Sequence, residues 1–174
     1  MRKSISIFAL ILVTSFTVNA QKSNEKASLF SIGAEAGLPV GSFSDGWGLG
    51  FGASAKLALP LKHGFAITAS AGYISFGGKT YLGTKFPAFG TIPLKAGLKY
   101  NIAGRAFYIE PQIGYTIGNI TGLSSSDVSG FSGAFGIGYS FSRLIDLGIR
   151  YESYKKTVDA EGANIIGVRF GFNF

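Results

Sequence analysis

Nine charged residues in this 174-residue chain stand at positions that period-two spacing places on one side of extended segments: Glu35, Lys56, Lys95, Lys99, Glu110, Asp146, Arg150, Glu152 and Arg169. Successive side chains of a strand point to opposite faces, so this arrangement by accident is roughly a one-in-several-hundred event. Their neighbours on that face are glycine, serine, threonine and glutamine: Gly33, Gly37, Gly50, Ser54, Thr68, Ser70, Gln112, Gly136 and Gly138. Four acids and five bases nearly cancel. In an enclosed space an unpaired charge is costly, so mutual ion pairing is the expected state. The sequence suggests Glu110 with Lys95 or Lys99, and Glu152, Arg150 or Asp146 with Arg169. Such a set can act as a fixed electrostatic plug, as a gate that a solute or partner rearranges, or as a proton relay.

Other chemistry finds little support. There is no cysteine, hence no thiolate metal site and no disulfide. The single histidine, His63, adjoins Lys62 in an expected tight turn, without the nearby nucleophile or further ligands that a dyad or a zinc site needs. Ser124, Ser125, Ser126 and Asp127 form a polar loop run with no base. The glycine-rich stretches GLGFG and GFGASAK lie inside strands and lack the strand-then-helix setting of a phosphate cradle. Basic residues are scattered rather than clustered, which argues against nucleic acid. No catalytic residue, metal or cofactor is therefore expected.

The elements that position the nine charges follow from composition and periodicity. Hydrophobic residues make up 47% of the chain and charged ones only 14%, with 26 glycines; a typical soluble domain has roughly 25% charged residues. The start, MRKSISIFALILVTSFTVNAQ, has a basic Arg2–Lys3 region, an apolar run and a small-residue site at Val18-Asn19-Ala20. It reads as a secretory signal peptide over 1–20, followed by a short lead-in over 21–28 and one domain over 29–174. Of the net charge of +7, two units belong to Arg2 and Lys3, so the exported chain carries +5.

Eight strands are expected near 29–38, 48–59, 64–75, 91–100, 106–117, 131–141, 144–153 and 164–174. Most match the ~9–11 residues that a tilted strand needs to cross a bilayer. Tight connections at 61–64, 101–105 and 141–144 alternate with long ones at 39–48, 76–90, 118–130 and 154–163. Opposite the charged face, each strand carries bulky apolar residues, among them Phe30, Phe51, Ile67, Leu94, Ile113, Ile137, Ile149 and Phe170. An eight-stranded barrel has room inside only for a modest filling of side chains, so the bulky face must look outward to lipid. Strands in hydrocarbon must pair every backbone group, so the sheet must close. The expectation is an all-β, eight-stranded antiparallel up-and-down transmembrane β-barrel with a charged lumen. Aromatic girdles are placed by Tyr100, Phe107, Tyr139, Phe141, Phe172 and Phe174 at the short-turn rim and by Tyr73, Tyr115, Tyr151 and Phe131 at the loop rim. Pro111 suggests a bulge, because proline donates nothing to a ladder.

The segment GAEAGLPVGSFSDGWGLGFGASAKLALPL resembles the small outer-membrane β-barrel proteins of Bacteroidota, in which a G-x-x-x-G-L-P stretch, an FSD loop and a GFG strand recur. The likeness covers the exported chain and extends to the wider OmpA-, OmpW- and opacity-like barrels. The last strand, with Phe170, Phe172 and Phe174, resembles the terminal signal read by the barrel-assembly machinery. The resemblance implies residence in the cell outer membrane, with lipid and lipopolysaccharide around the protein and another outer-membrane protein as a candidate partner. It brings no catalytic residues. Barrel hydrolases of lipid A or peptides use a histidine at the outer rim, whereas His63 falls at the opposite end. Lys79, Lys85, Lys155 and Lys156 in the long loops, with Trp47, Tyr81, Phe86, Phe89 and Tyr154, are candidates for contact with lipopolysaccharide or a partner. Two functions stay open: a structural or interaction barrel with a plugged lumen, or a porin-like transporter of small or hydrophobic solutes of the OmpW-like kind.

Overall fold

A computed structural model of the chain describes residues 29–81, 84–102, 106–120, 129–155 and 162–174. The expected signal peptide, the lead-in, the Ser124–Asp127 run and Lys156 lie outside them. The elements are β1 (Leu29–Val40), a single helical turn α1 (Phe43–Gly46), β2 (Trp47–Pro60), β3 (Phe65–Gly78), β4 (Thr80–Tyr81), β5 (Thr84–Lys85), β6 (Phe89–Asn101), β7 (Phe107–Ile120), β8 (Gly130–Ser140), β9 (Ile145–Lys155) and β10 (Gly162–Asn173). Eight of the strands form a closed antiparallel barrel in the order β1-β10-β9-β8-β7-β6-β3-β2, while β4 and β5 pair separately inside one long loop. The terminal strand closes the ring, running against β1 from Ser31↔Asn173 to Val40↔Asn164. Closure leaves no lipid-exposed edge with unpaired backbone groups.

The faces divide as bulk and charge require. Phe51, Ile67, Ile113, Phe135, Phe170 and Phe172 are exposed, which for this barrel means exposed to acyl chains, while Glu35, Lys95, Glu110, Asp146, Glu152 and Arg169 are buried. Rim aromatics meet in pairs: Phe65 with Tyr100 at 4.6 Å between centroids, Phe107 with Tyr139 at 4.7 Å, and Tyr115 with Phe131 at 5.6 Å. The tight turn after β2 uses the left-handed backbone at His63 (φ 60°) and Gly64 (φ 80°). In the turn after β8, the Ser142 hydroxyl accepts from the amides of Leu144 and Ile145 at 3.1 and 3.2 Å.

Two expectations need correction. Pro111 does not produce a bulge. Pairing of β6 with β7 goes from Gly97↔Gln112 directly to Tyr100↔Ile109 in unchanged register, so rungs are missing but no residue is added. Pro93 does the same between β3 and β6, where pairing passes from Ala71↔Leu94 to Ile74↔Thr91. The one register shift recorded in the barrel ladders lies elsewhere, between Trp47 and Gly50 against β3. Second, several strands outrun their expected ends on the loop side: β3 reaches Gly78, β7 Ile120 and β9 Lys155, while β6 starts at Phe89. There the rule inverts. Phe76, Phe89, Ile120, Tyr154 and Ile165 point inward and are buried, because this part of the wall encloses an apolar core of its own.

Candidate functional site in the barrel lumen

All nine strand charges face the lumen, and eight of them are ion-paired: six in one connected network and Lys56 with Glu110 as a separate pair. On β1 and β2, Glu35 accepts from Ser54 Oγ at 2.6 Å and from Arg150 Nη1 at 2.8 Å, with Arg169 Nε 3.7 Å away. Arg169 donates to Asp146 at 3.1 Å, to Ser54 Oγ at 2.9 Å and to Ser31 Oγ at 2.6 Å. Asp146 also accepts from the Tyr108 hydroxyl at 3.0 Å. Glu152 takes Lys95 Nζ in a short contact and Arg150 Nε at 3.2 Å. Glu110 accepts from Lys56 Nζ at 2.8 Å, Thr68 Oγ1 at 2.7 Å and Gln112 Nε2 at 3.0 Å. With Thr116 Oγ1 donating to Glu152 at 3.5 Å, each carboxylate meets at least one cation and one neutral donor, which is what makes ionised groups tolerable out of water.

The pairing partly departs from expectation. Arg169 with Asp146 is present. Glu110 does not pair with Lys95 or Lys99 on the neighbouring strand but with Lys56 on β2, and Glu152 pairs with Lys95 rather than with Arg169. The reason is geometric. In a barrel this narrow, long side chains meet across the lumen, over faces that carry no bulk. A Cβ on Gly33 would lie 2.8 Å from the Arg169 guanidinium carbon, and one on Gly167 would lie 3.3 Å from that of Arg150. Glycine on one strand is thus the space that an arginine from another fills. β8 supplies inward only Ser132, Ala134, Gly136, Gly138 and Ser140 besides its first residue, and Gly138 is the seat of the Tyr108 ring. Tyr108 belongs to the site, yet its bulk conceals it in sequence between Phe107 and Ile109. The readable signal is the pair of glycines, Gly138 and Gly148, that face it.

A second layer, an aromatic lid, lies at the loop end. Phe43 on α1 packs edge-on against Phe76 (5.5 Å) and Phe89 (5.4 Å) and lies 5.2 Å from Trp47. Ile74, Ile120, Tyr154, Ala163 and Ile165 complete this core. Lys79 holds the lid in place by donating to the Ser44 carbonyl at 2.5 Å, and Trp47 Nε1 donates to the Pro87 carbonyl at 3.1 Å. Phe89 and Tyr154, expected among the loop contacts for an outside partner, are fully buried, and Trp47 is half-buried. Phe86 remains exposed, as do Lys79 and Lys155; the side chains of Tyr81 and Lys85 lie outside the description. Sequence reasoning missed the lid because it placed Phe43, Phe76, Phe89 and Tyr154 in the long connections, where an aromatic reads as a loop residue rather than as part of a buried core. His63 sits exposed in its turn at the far end of the barrel.

A closed, all-antiparallel barrel with a greasy exterior has known counterparts. A model of the outer membrane protein beta-barrel domain matches residues 8–174 of the chain. The protein belongs to this family. Like other outer-membrane barrels it resides in the outer membrane, with its aromatic-girdled wall in lipid. Among solved structures, this family barrel is similar to Ail, the attachment invasion locus protein of Yersinia pestis, with a TM-score of 0.60 at 16% identity over 87% of this chain and 100% of that one. It is also similar to the N-terminal β-barrel domain of Pseudomonas aeruginosa OprF (TM-score 0.59, 14% identity, 84% and 97% covered). Neisserial surface protein A gives a TM-score of 0.53 at 16% identity over 84% and 97%. At these identities the likeness concerns the fold. No curated protein matches the chain.

Proposed function

We propose that the protein is a structural or interaction barrel of the outer membrane with a closed lumen, not a pore and not an enzyme. One observation carries this reading: the charged layer leaves a space of only about 40 Å³ between Glu35, Lys95, Glu110, Arg150 and Arg169, and the Phe43–Phe76–Phe89 lid lies above it. Such a space holds only a few waters, too little for an open bore. Function then rests on the outer surface and the loops. Exposed Lys155, with Lys85 and Lys156, is suited to phosphates of lipopolysaccharide or to acidic groups of a partner protein, while the Lys79 ammonium is engaged within the lid. Outward Phe170 and Phe172 on β10, with Phe174 next to its end, suit recognition by the barrel-assembly machinery.

Planar-bilayer recording with the purified protein tests the reading. Silence at ±100 mV is expected; a steady current that shifts on Arg169→Ala would instead make it a narrow transporter. Catalysis is tested separately. Hydrolysis of lipid A or of a peptide by the purified protein, lost on replacing His63, would overturn the non-enzymatic reading.

A further inference from the structure

The charges of the lumen do not balance, and the excess sits in one place. Of the nine inward charges five are basic and four acidic. Each carboxylate is bonded to at least one cation, and the cation outside these pairs is Lys99. Its ammonium lies 3.8 Å from the centroid of the Tyr108 ring. An aromatic face attracts a cation but accepts no ordinary hydrogen bond, so the three N–H donors of Lys99 are not met by a carboxylate among the described residues.

Lys99 borders a cavity of about 330 Å³ at the short-turn end, shared with Lys56, Arg143, Asn101, Ser140 and Asp146 among others. Arg143, in the exposed turn after β8, likewise makes no ion pair among the described residues. Of the cavity's three cations, Lys56 is taken by Glu110, and the carboxylate of Asp146 is held by Arg169 and Tyr108, so Lys99 and Arg143 are the cations left without an ion pair among the described residues. The cavity is far larger than the space within the charged layer and has room for a solvated polyatomic ion. We propose that this vestibule binds a compact oxyanion, a phosphate or carboxylate group entering from the short-turn side, with Lys99 as its anchor, Arg143 at its rim, and Asn101 and Ser140 supplying neutral donors. Low-dielectric walls around a net positive mouth concentrate anions there. The inference is independent of whether the lumen conducts, since it concerns only the compartment below the charged layer.

The test is amide NMR of the isotope-labelled protein in a maltoside detergent, titrated with pyrophosphate. Saturable shifts confined to the surroundings of Asn101, Ser140 and Arg143 are expected, with a dissociation constant on the order of 1 mM that weakens as sodium chloride rises. Lys99→Gln should weaken binding at least tenfold and Arg143→Gln several-fold. Lys99→Arg should retain it, and Lys79→Gln at the opposite end should leave it unchanged. Non-saturating shifts, shifts located elsewhere in the wild-type protein, or equal affinity in a folded Lys99→Gln variant would overturn the proposal. Because the first two of these need no variant, a folding defect in Lys99→Gln does not protect it. Nanodiscs separate the sources of the oxyanion. Weaker pyrophosphate binding in phosphatidylglycerol than in phosphatidylcholine discs assigns the site to a lipid headgroup, and equal binding assigns it to a soluble anion.

Discussion

Ion pairs inside this barrel differ in what their removal costs, and the difference follows from how many partners each charge has. Glu152 binds both Lys95 and Arg150, and each of the three is largely buried. Glu152→Gln leaves two cations facing a neutral amide, so a loss of about 3–5 kcal/mol is expected, the cost of breaking a buried pair from one side. Replacing both members, Lys95→Met with Glu152→Leu, should recover much of that loss by removing two desolvated charges together, although Arg150 then keeps Glu35 alone. Lys99 behaves otherwise. With no carboxylate to abandon, Lys99→Met should cost no more than about 1 kcal/mol, the value of its contact with the Tyr108 ring. Guanidinium unfolding in detergent, followed by the heat-dependent gel shift of the folded barrel, checks all three.

At the scale of strands, the proline rungs are the weak seams. Pro93 and Pro111 interrupt the two ladders that flank β6, and each gap removes a backbone donor from a wall that lipid cannot hydrate. Pro111→Ala restores an N–H at a position whose flanking pairs are already in register, so a gain of about 1 kcal/mol is expected. Slower hydrogen exchange of the amides around Gln112 and Leu98 should accompany it. Glycine carries the opposite constraint. A Cβ on Gly50 would lie 2.5 Å from the Phe76 ring, so Gly50→Val should displace the lid and cost about 1–3 kcal/mol through overpacking.

These elements also show what sequence can and cannot carry. The period-two alternation of Phe170, Phe172 and Phe174 against Gly171 and Arg169 is a one-dimensional signal, and it suffices for strand identity, face and closure. The partner of Glu110 is not one-dimensional. Lys56 is distant from it in the chain and on a strand that is not its neighbour, and it becomes the partner only once stagger and lumen width are fixed. Phe76 and Phe89 were illegible for another reason. Period-two spacing ended β3 and began β6 short of them, and only the longer strands, β3 to Gly78 and β6 from Phe89, carry them inward into a shared core. Pro111 was legible as a fault in the ladder but not as a missing rung rather than a bulge, because register depends on both neighbouring strands.

Taken whole, and on the closed-lumen reading proposed above, the barrel is shut at two heights by unrelated physics and open at its third. In that reading charge pairing seals the middle and aromatic packing seals the loop end, while the vestibule at the short-turn end is hollow. Independent seals in series make conductance a conjunction: either one alone blocks the path. Phe43→Ala with Phe89→Ala removes the lid but leaves Lys95, Glu152, Arg150 and Arg169 across the lumen. Arg169→Ala with Lys95→Met thins the charged layer but leaves the lid. In planar bilayers both double variants should be as silent as the parent. The quadruple variant should show discrete, cation-favouring steps, because removing two bases leaves Glu35, Glu110, Asp146 and Glu152 against Lys56, Lys99 and Arg150. Stability should fall in advance of conductance, since each truncated phenylalanine costs about 3–5 kcal/mol where the core cannot collapse; the recordings therefore need folded material selected by its gel mobility. Steady current from either double variant would show that one seal had been bearing the whole closure. Silence in a folded quadruple variant would place a further constriction among the long loops.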